Sequence, residues 1–124
     1  YTNVHKLNNL IWVWNAPTPE CYPGDDTVDI ISRDMYPEAH VHTSCAGQYH
    51  ELTKITSQPK ITIIGEIGSL PDVNAIHSEK IGWSSYMTWC GSYCLAESFN
   101  SFDYLKALYA SPYSVTKEDL PELY

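Results

Sequence analysis

KITIIGEIGSLPD, running from Lys60 to Asp72, is the stretch whose reading decides the fold. Ile61, Thr62, Ile63 and Ile64 form a β-branched run bounded by Pro59 and Gly65, which reads as a short buried strand. A carboxylate, Glu66, stands at its C-terminal end, between two glycines and just before a turn with Pro71 and Asp72. An ionised group at the end of an apolar strand costs desolvation energy, which a fold tolerates mainly where the group does chemistry. The plainer reading is a carboxylate that caps the next helix or pairs with an arginine.

Working outward, three more segments have strand character. LIWVW (Leu10–Trp14) is a continuous apolar run that ends at Asn15. A loop rich in proline follows, with Pro17, Pro19 and Pro23, and closes on the turn signal Gly24-Asp25-Asp26. VDIISRDMY (Val28–Tyr36) is the second strand, and alternation puts Asp34 and Tyr36 on one face of it. WSSYMTW (Trp83–Trp89) is the last. Between them, Cys45–Thr56 carries Tyr49, Leu52 and Ile55 at helical spacing, and Asp72 is placed to cap VNAIHSE. FDYLKALY (Phe102–Tyr109) aligns Phe102, Leu105, Leu108 and Tyr109 on one stripe. Tyr1–Asn9 reads as the tail of a helix, and Ser114–Leu120 as the opening of a helical turn.

Strands alternating with helical or loop connections imply a parallel sheet. Polar and aromatic groups collect at the C-terminal ends of those strands: Asn15, Asp34, Tyr36, Glu66 and Trp89. A (β/α)8 barrel carries its active site at that face, but takes about 250 residues. The chain has 124, so it supplies about four β/α units, half of such a barrel, as one domain over residues 1–124.

Composition narrows the function. With 44% hydrophobic and 18% charged residues the chain is globular rather than disordered. A formal net charge of −8 argues against nucleic acid and anionic membrane surfaces as partners. Ten tyrosines and four tryptophans suit stacking on sugar rings, though a packed core uses them equally well; Trp12, Trp14 and Trp83 are read as core. No apolar run reaches the roughly 18 residues of a membrane span. The abrupt start at Tyr1 suggests a piece of something longer.

Cys21, Cys45, Cys90 and Cys94 are an even number, compatible with an oxidising compartment, and allow three pairings. Their spacing does not match a zinc site. The four-residue step from Cys90 to Cys94 around Gly91 favours a disulfide there. His40 with His42, and Asp25 with Asp26, have the look of partial metal sites without enough further ligands, and read as loop residues.

Taken together, NLIWVWN (Asn9–Asn15), YPGDDTVDI (Tyr22–Ile30), RDMY (Arg33–Tyr36), EIG (Glu66–Gly68) and WSSYMTWCG (Trp83–Gly91) resemble glycoside hydrolase family 26, in particular its secreted β-mannanases. LKALYASPYSVTKEDLP (Leu105–Pro121) is similar to that family's last helix and tail. The resemblance implies the C-terminal half of a (β/α)8 barrel that cleaves β-1,4-linked mannan with retention of configuration, outside the cell and without a cofactor. It implies that Glu66 is the nucleophile at the end of the seventh strand and Tyr36 the tyrosine that hydrogen-bonds it. Asp34 is then the aspartate beside that tyrosine, and Trp89 the aromatic platform for the sugar.

Two positions depart from the family pattern: Ile67 where relatives often carry asparagine, and Ser85-Tyr86 in place of a more aromatic pair. The acid/base glutamate of the family belongs to a His-Glu motif on the fourth strand, and the chain begins after that point. His50-Glu51 lies instead inside the helical segment, as solvated surface. The expected partners are therefore a mannan-type polysaccharide and the missing N-terminal half of the barrel. The alternative is a half-barrel that binds carbohydrate through Trp89 and Tyr36 without cleaving it.

Overall fold

Residues 2–16 and 18–122 are described by a computed structural model. Within them lie four strands, β1 (Val13–Asn15), β2 (Ile30–Met35), β3 (Ile61–Ile67) and β4 (Trp83–Thr88). They form one sheet in the order β1-β2-β3-β4, and every neighbouring pair is parallel. Helices α1 (Thr2–His5), α2 (Ala46–Thr53), α3 (Val73–Ser78) and α4 (Phe102–Tyr109) complete the chain, with single 3-10 turns at Pro19–Cys21, Gly91–Tyr93 and Lys117–Asp119. Sequential parallel strands, joined by α2 and α3 and, between β1 and β2, by a loop with a single 3-10 turn, make up four strands of a (β/α)8 barrel.

Two of the helices start where a side chain satisfies free amides. The Asp72 carboxylate accepts from the backbone of Asn74 and Ala75 at 2.9 and 3.1 Å, which fixes the start of α3 as expected. Ser101 does the same for α4 through the Tyr104 amide at 3.1 Å. The expected turn in the tail forms too, with Thr116 and Asp119 closing a reciprocal cap.

One face of the sheet is packed. Met35, Cys45, Ile64, Ile67, Leu70, Val73 and Leu108 form one cluster, and Trp14, Val28, Ile31 and Leu52 a second. Trp83 packs half-buried against both, and its indole donates to the Ser44 carbonyl at 3.1 Å. The other face is open: Val13, Ile61 and Met87 stay 48%, 55% and 53% exposed. In a closed barrel that face is the interior.

Several boundaries shift. LIWVW is not a strand throughout: Leu10 and Ile11 precede the ladder, and Trp12 stands at its edge. The Trp12 carbonyl accepts from the Asp29 and Ile30 amides at 2.9 and 3.1 Å, while its amide donates to the Asp29 carboxylate at 2.8 Å. Trp12 is therefore 41% exposed and outside the core, unlike Trp14. The first helical segment is four residues long, with Tyr1 outside the described residues. Helix α2 ends at Thr53, ahead of Pro59. Glu51 in α2 is exposed and pairs with Arg33 at 2.8 Å. All four cysteines are free thiols, which corrects the Cys90–Cys94 expectation. The turn between them is closed by the Cys94 amide on the Gly91 carbonyl, and the Cys94 thiol points at the same oxygen.

Asp25 and Asp26 turn out not to be equivalent. Asp25 sits at the N-terminal end of the sheet, where its carboxylate accepts from the Ser57 amide and hydroxyl, the Gln58 amide and the Tyr22 hydroxyl. Lys60 Nζ donates to the carbonyls of Asp25 and Val28 at 2.6 and 2.7 Å, closing the same corner. The Ser57 and Tyr22 hydroxyls hold the Asp25 carboxyl below the ordinary carboxylate value. Burial and the bond to Asp25 push Tyr22 up to about 12. Because the folded value of Asp25 is depressed, its contribution is complete above the unfolded value of about 3.9 and fades as pH falls through the folded one. Asp25→Asn is expected to lower Tm by a few degrees at pH 7, and the gap from wild type is expected to narrow below about pH 4. Thermal scans of both proteins from pH 3 to 7 check this; a gap independent of pH contradicts it.

Candidate active site

Gly65 is not the end of β3 but a point inside it. In the β2–β3 pairing Arg33 faces Ile64 and Asp34 faces Glu66, so Gly65 is an extra residue at a register break. With unbroken alternation Glu66 would follow Thr62 and Ile64 onto the packed face. The break turns it instead to the open face with Asp34. Glycine at the break leaves room for its neighbours: a Cβ on Gly65 would lie 2.5 Å from Ser32 Oγ and 2.7 Å from Asp34 Oδ1, and would push both side chains aside.

On that face Tyr36 and Glu66, thirty residues apart in sequence, are joined. The Tyr36 hydroxyl donates to Glu66 Oε2 at 2.6 Å. The bond to Glu66, partial burial, and the charges of Glu66 and Asp34 push the phenol up to about 12. Tyr36 thus remains a hydrogen-bond donor at any working pH. Asp34 faces Glu66 across the strands and accepts from Asn15 Nδ2 at 2.9 Å, which brings the end of β1 into the group. Trp89 follows β4 directly; its amide donates to the Ile67 carbonyl at 3.1 Å, and its side chain is 40% exposed. Asn15, Asp34, Tyr36, Glu66 and Trp89 therefore stand at the C-terminal ends of four successive strands, as their sequence positions imply.

Residues outside any motif support this group. The Tyr93 ring meets Tyr36 edge-on at 5.6 Å and lies against Phe99 at 4.2 Å. Gly68 lets both tyrosines close in, since a Cβ there would be 2.9 Å from Tyr93 and 3.3 Å from Tyr36. Asn100 is fully buried behind them. None of these has a motif; a lone asparagine in the mixed stretch ESFNSF gives no sign of burial. His40 and His42 do not converge. His42 stacks on Tyr104 at 3.6 Å and its Nδ1 meets the Leu70 carbonyl at 2.8 Å, a packing role. No group of three or more His, Cys, Asp or Glu side chains among the described residues is placed to hold a metal ion. No helix of the described residues is long and apolar enough to cross a membrane.

Comparison with known proteins fits this fold. The chain is 35% identical over 118 residues to a mannan endo-1,4-beta-mannosidase of Thermothelomyces thermophilus, a match that spans 95% of the chain and 24% of that relative. Mannan endo-1,4-beta-mannosidase B of Piromyces sp. is 29% identical over 119 residues, covering 96% of the chain and 20% of its own length. The chain thus spans a quarter or less of these curated relatives. Among solved structures, a beta-mannanase from a symbiotic protist of the termite Reticulitermes speratus, complexed with gluco-manno-oligosaccharide, superposes with a TM-score of 0.85 at 30% identity. That match covers 97% of the chain and 38% of the protist protein. A Podospora anserina GH26-CBM35 beta-(1,4)-mannanase superposes with a TM-score of 0.82 at 32% identity, over 95% of the chain and 26% of the other. The family profile described as glycosyl hydrolase family 26 matches residues 1–119, so the chain belongs to that family.

Proposed function

We propose that this chain is the C-terminal half of the catalytic barrel of a secreted, retaining endo-β-1,4-mannanase, and that it carries the nucleophile. The observation that supports this most is the Tyr36 hydroxyl on Glu66 Oε2 at the strand ends of a family 26 sheet. Retaining hydrolysis needs two carboxyl groups about 5–5.5 Å apart, one attacking the anomeric carbon and one protonating the leaving oxygen. Glu66 fills the first role. Its Oε2 is held by Tyr36, and this leaves Oε1 to form the bond to sugar. As the glycosyl–enzyme ester forms, charge leaves the carboxylate, and the phenol orients the group throughout. Asp34, tied to Asn15, lines the same subsite, and Trp89 offers its exposed indole face to the apolar side of a mannose ring. The proton donor comes from the other half of the barrel. The substrate is mannan by analogy with the relatives, whose names all specify it.

A 2-deoxy-2-fluoro mannosyl fluoride tests the assignment, because it forms the covalent intermediate and hydrolyses slowly. Applied to the complete barrel, it is expected to leave one added sugar on the peptide containing Glu66. Label on another carboxylate would overturn the nucleophile.

A further inference from the structure

Asn100 shows no exposure at all, yet it precedes α4 in a polar loop and touches neither Glu66 nor Tyr36 through any hydrogen bond. A buried amide is costly unless all its groups are paired. Here each bond goes to main chain. Oδ1 accepts from the Leu70 amide at 2.7 Å, and Nδ2 donates to the Gly68 carbonyl at 2.9 Å and to the Tyr93 carbonyl at 3.0 Å. One side chain therefore binds the loop after β3 at two points and the loop after β4 at one. Those two loops are the ones that bracket Tyr36. Its ring lies beside Gly68, where there is no room for a methyl group, and edge-on to Tyr93. The Gly68 amide in turn donates to the Met35 carbonyl at 3.2 Å, fixing the residue before Tyr36. Ser69, also buried, adds a second tie to the Glu38 and Phe99 carbonyls.

We propose that Asn100 is a positioning residue for catalysis: by joining the loops after β3 and β4 it sets the slot that aims the Tyr36 hydroxyl at Glu66. This rests on the reading of Glu66 as nucleophile. Misplacing a reacting group by about 1 Å costs on the order of 10²-fold in rate, and the 2.6 Å bond leaves little slack.

The test compares Tyr36→Phe, Asn100→Asp and the double variant in the complete barrel. Asn100→Asp keeps the acceptor for Leu70 but removes both donations from Nδ2. The substrate is a dinitrophenyl β-manno-oligosaccharide, whose leaving group needs no acid and so reports on the nucleophile's side. Each single variant is expected to lose about 10- to 100-fold in kcat and in kcat/KM alike, with KM within about two-fold. The double variant is expected to be no slower than the slower single, because both break the same bond. Gly68→Ala provides the same readout without touching a buried polar group, should Asn100→Asp fail to fold: its methyl pushes on Tyr93 and Tyr36 directly. A slow Tyr36→Phe beside a folded Asn100→Asp, or Gly68→Ala, of wild-type kcat overturns the role of Asn100 alone. Losses that multiply in the double variant overturn it as well. A Tyr36→Phe of wild-type rate overturns the reading of the site, and the role of Asn100 with it.

Discussion

Glu66→Ala in the complete barrel is expected to reduce mannan hydrolysis by roughly 10⁴-fold or more, since nothing else can form the covalent intermediate. The side chain sits at the open end of β3 and packs into no apolar cluster, so the protein should keep its fold and substrate affinity. What is lost, on the proposed assignment, is the atom that attacks the anomeric carbon. The size of the loss also distinguishes this role from the plainer one. A carboxylate that only capped or paired would change stability by about a kilocalorie and leave turnover nearly intact. The alanine leaves a space on the nucleophile's side of the sugar, which a small anion such as azide can enter. With an aryl β-mannoside, azide is expected to restore part of the rate and to give a product of α configuration, having attacked once where the enzyme attacks twice. Polarimetry or NMR of the product reads this directly, and a β-configured azide would contradict the placement of Glu66.

The second large effect is total: residues 1–124 by themselves are expected to release no reducing sugar from mannan. Both outer strands, β1 and β4, have one side without a partner, and open strand edges and bare apolar faces invite association. Val13, Ile61 and Met87 on the open face, with Trp12 at the β1 end, are half-exposed apolar groups that a closed barrel would cover. The isolated chain is therefore expected to run as oligomers or aggregates on light scattering. General acid help is worth about 10²–10⁴ in rate, and in the proposed enzyme the acid lies in the other half, as do part of the sugar contacts. Co-expression with that half should restore turnover. Hydrolysis by the single, contaminant-free chain would place the acid among these residues.

The element types were legible because the physical signals are local. The β-branched run at Ile61–Ile64 gives β3, the stripe from Phe102 to Tyr109 gives α4, and Asp72 announces the start of α3. That Glu66 and Tyr36 lie at one end of the sheet was legible because both fall at the C-terminal ends of strand-like runs. What stayed hidden depends on partners distant in sequence. Gly65 looks like a terminator from the chain alone, and only pairing with β2 shows it to be an inserted residue that swings Glu66 to the open face. The apolar LIWVW looks like a strand because sequence does not show where its neighbour begins. Asn100 is one asparagine among polar residues until three backbone groups from two loops converge on it. The Cys90–Cys94 pairing rested on spacing, which says that two thiols can approach but not that the intervening turn lets them.

The ties at Asn100 and Ser69 all end on backbone carbonyls and amides rather than on other side chains. Every residue type offers those groups, proline's missing amide aside, so neighbours such as Glu38 are free to vary without loosening the frame. Mutational tolerance around the mouth of the barrel should accordingly be uneven: narrow at these two buried polar residues, broad at exposed neighbours such as Glu38 that offer only backbone groups. Exposed loop positions can then change while the Tyr36–Glu66 pair stays in place.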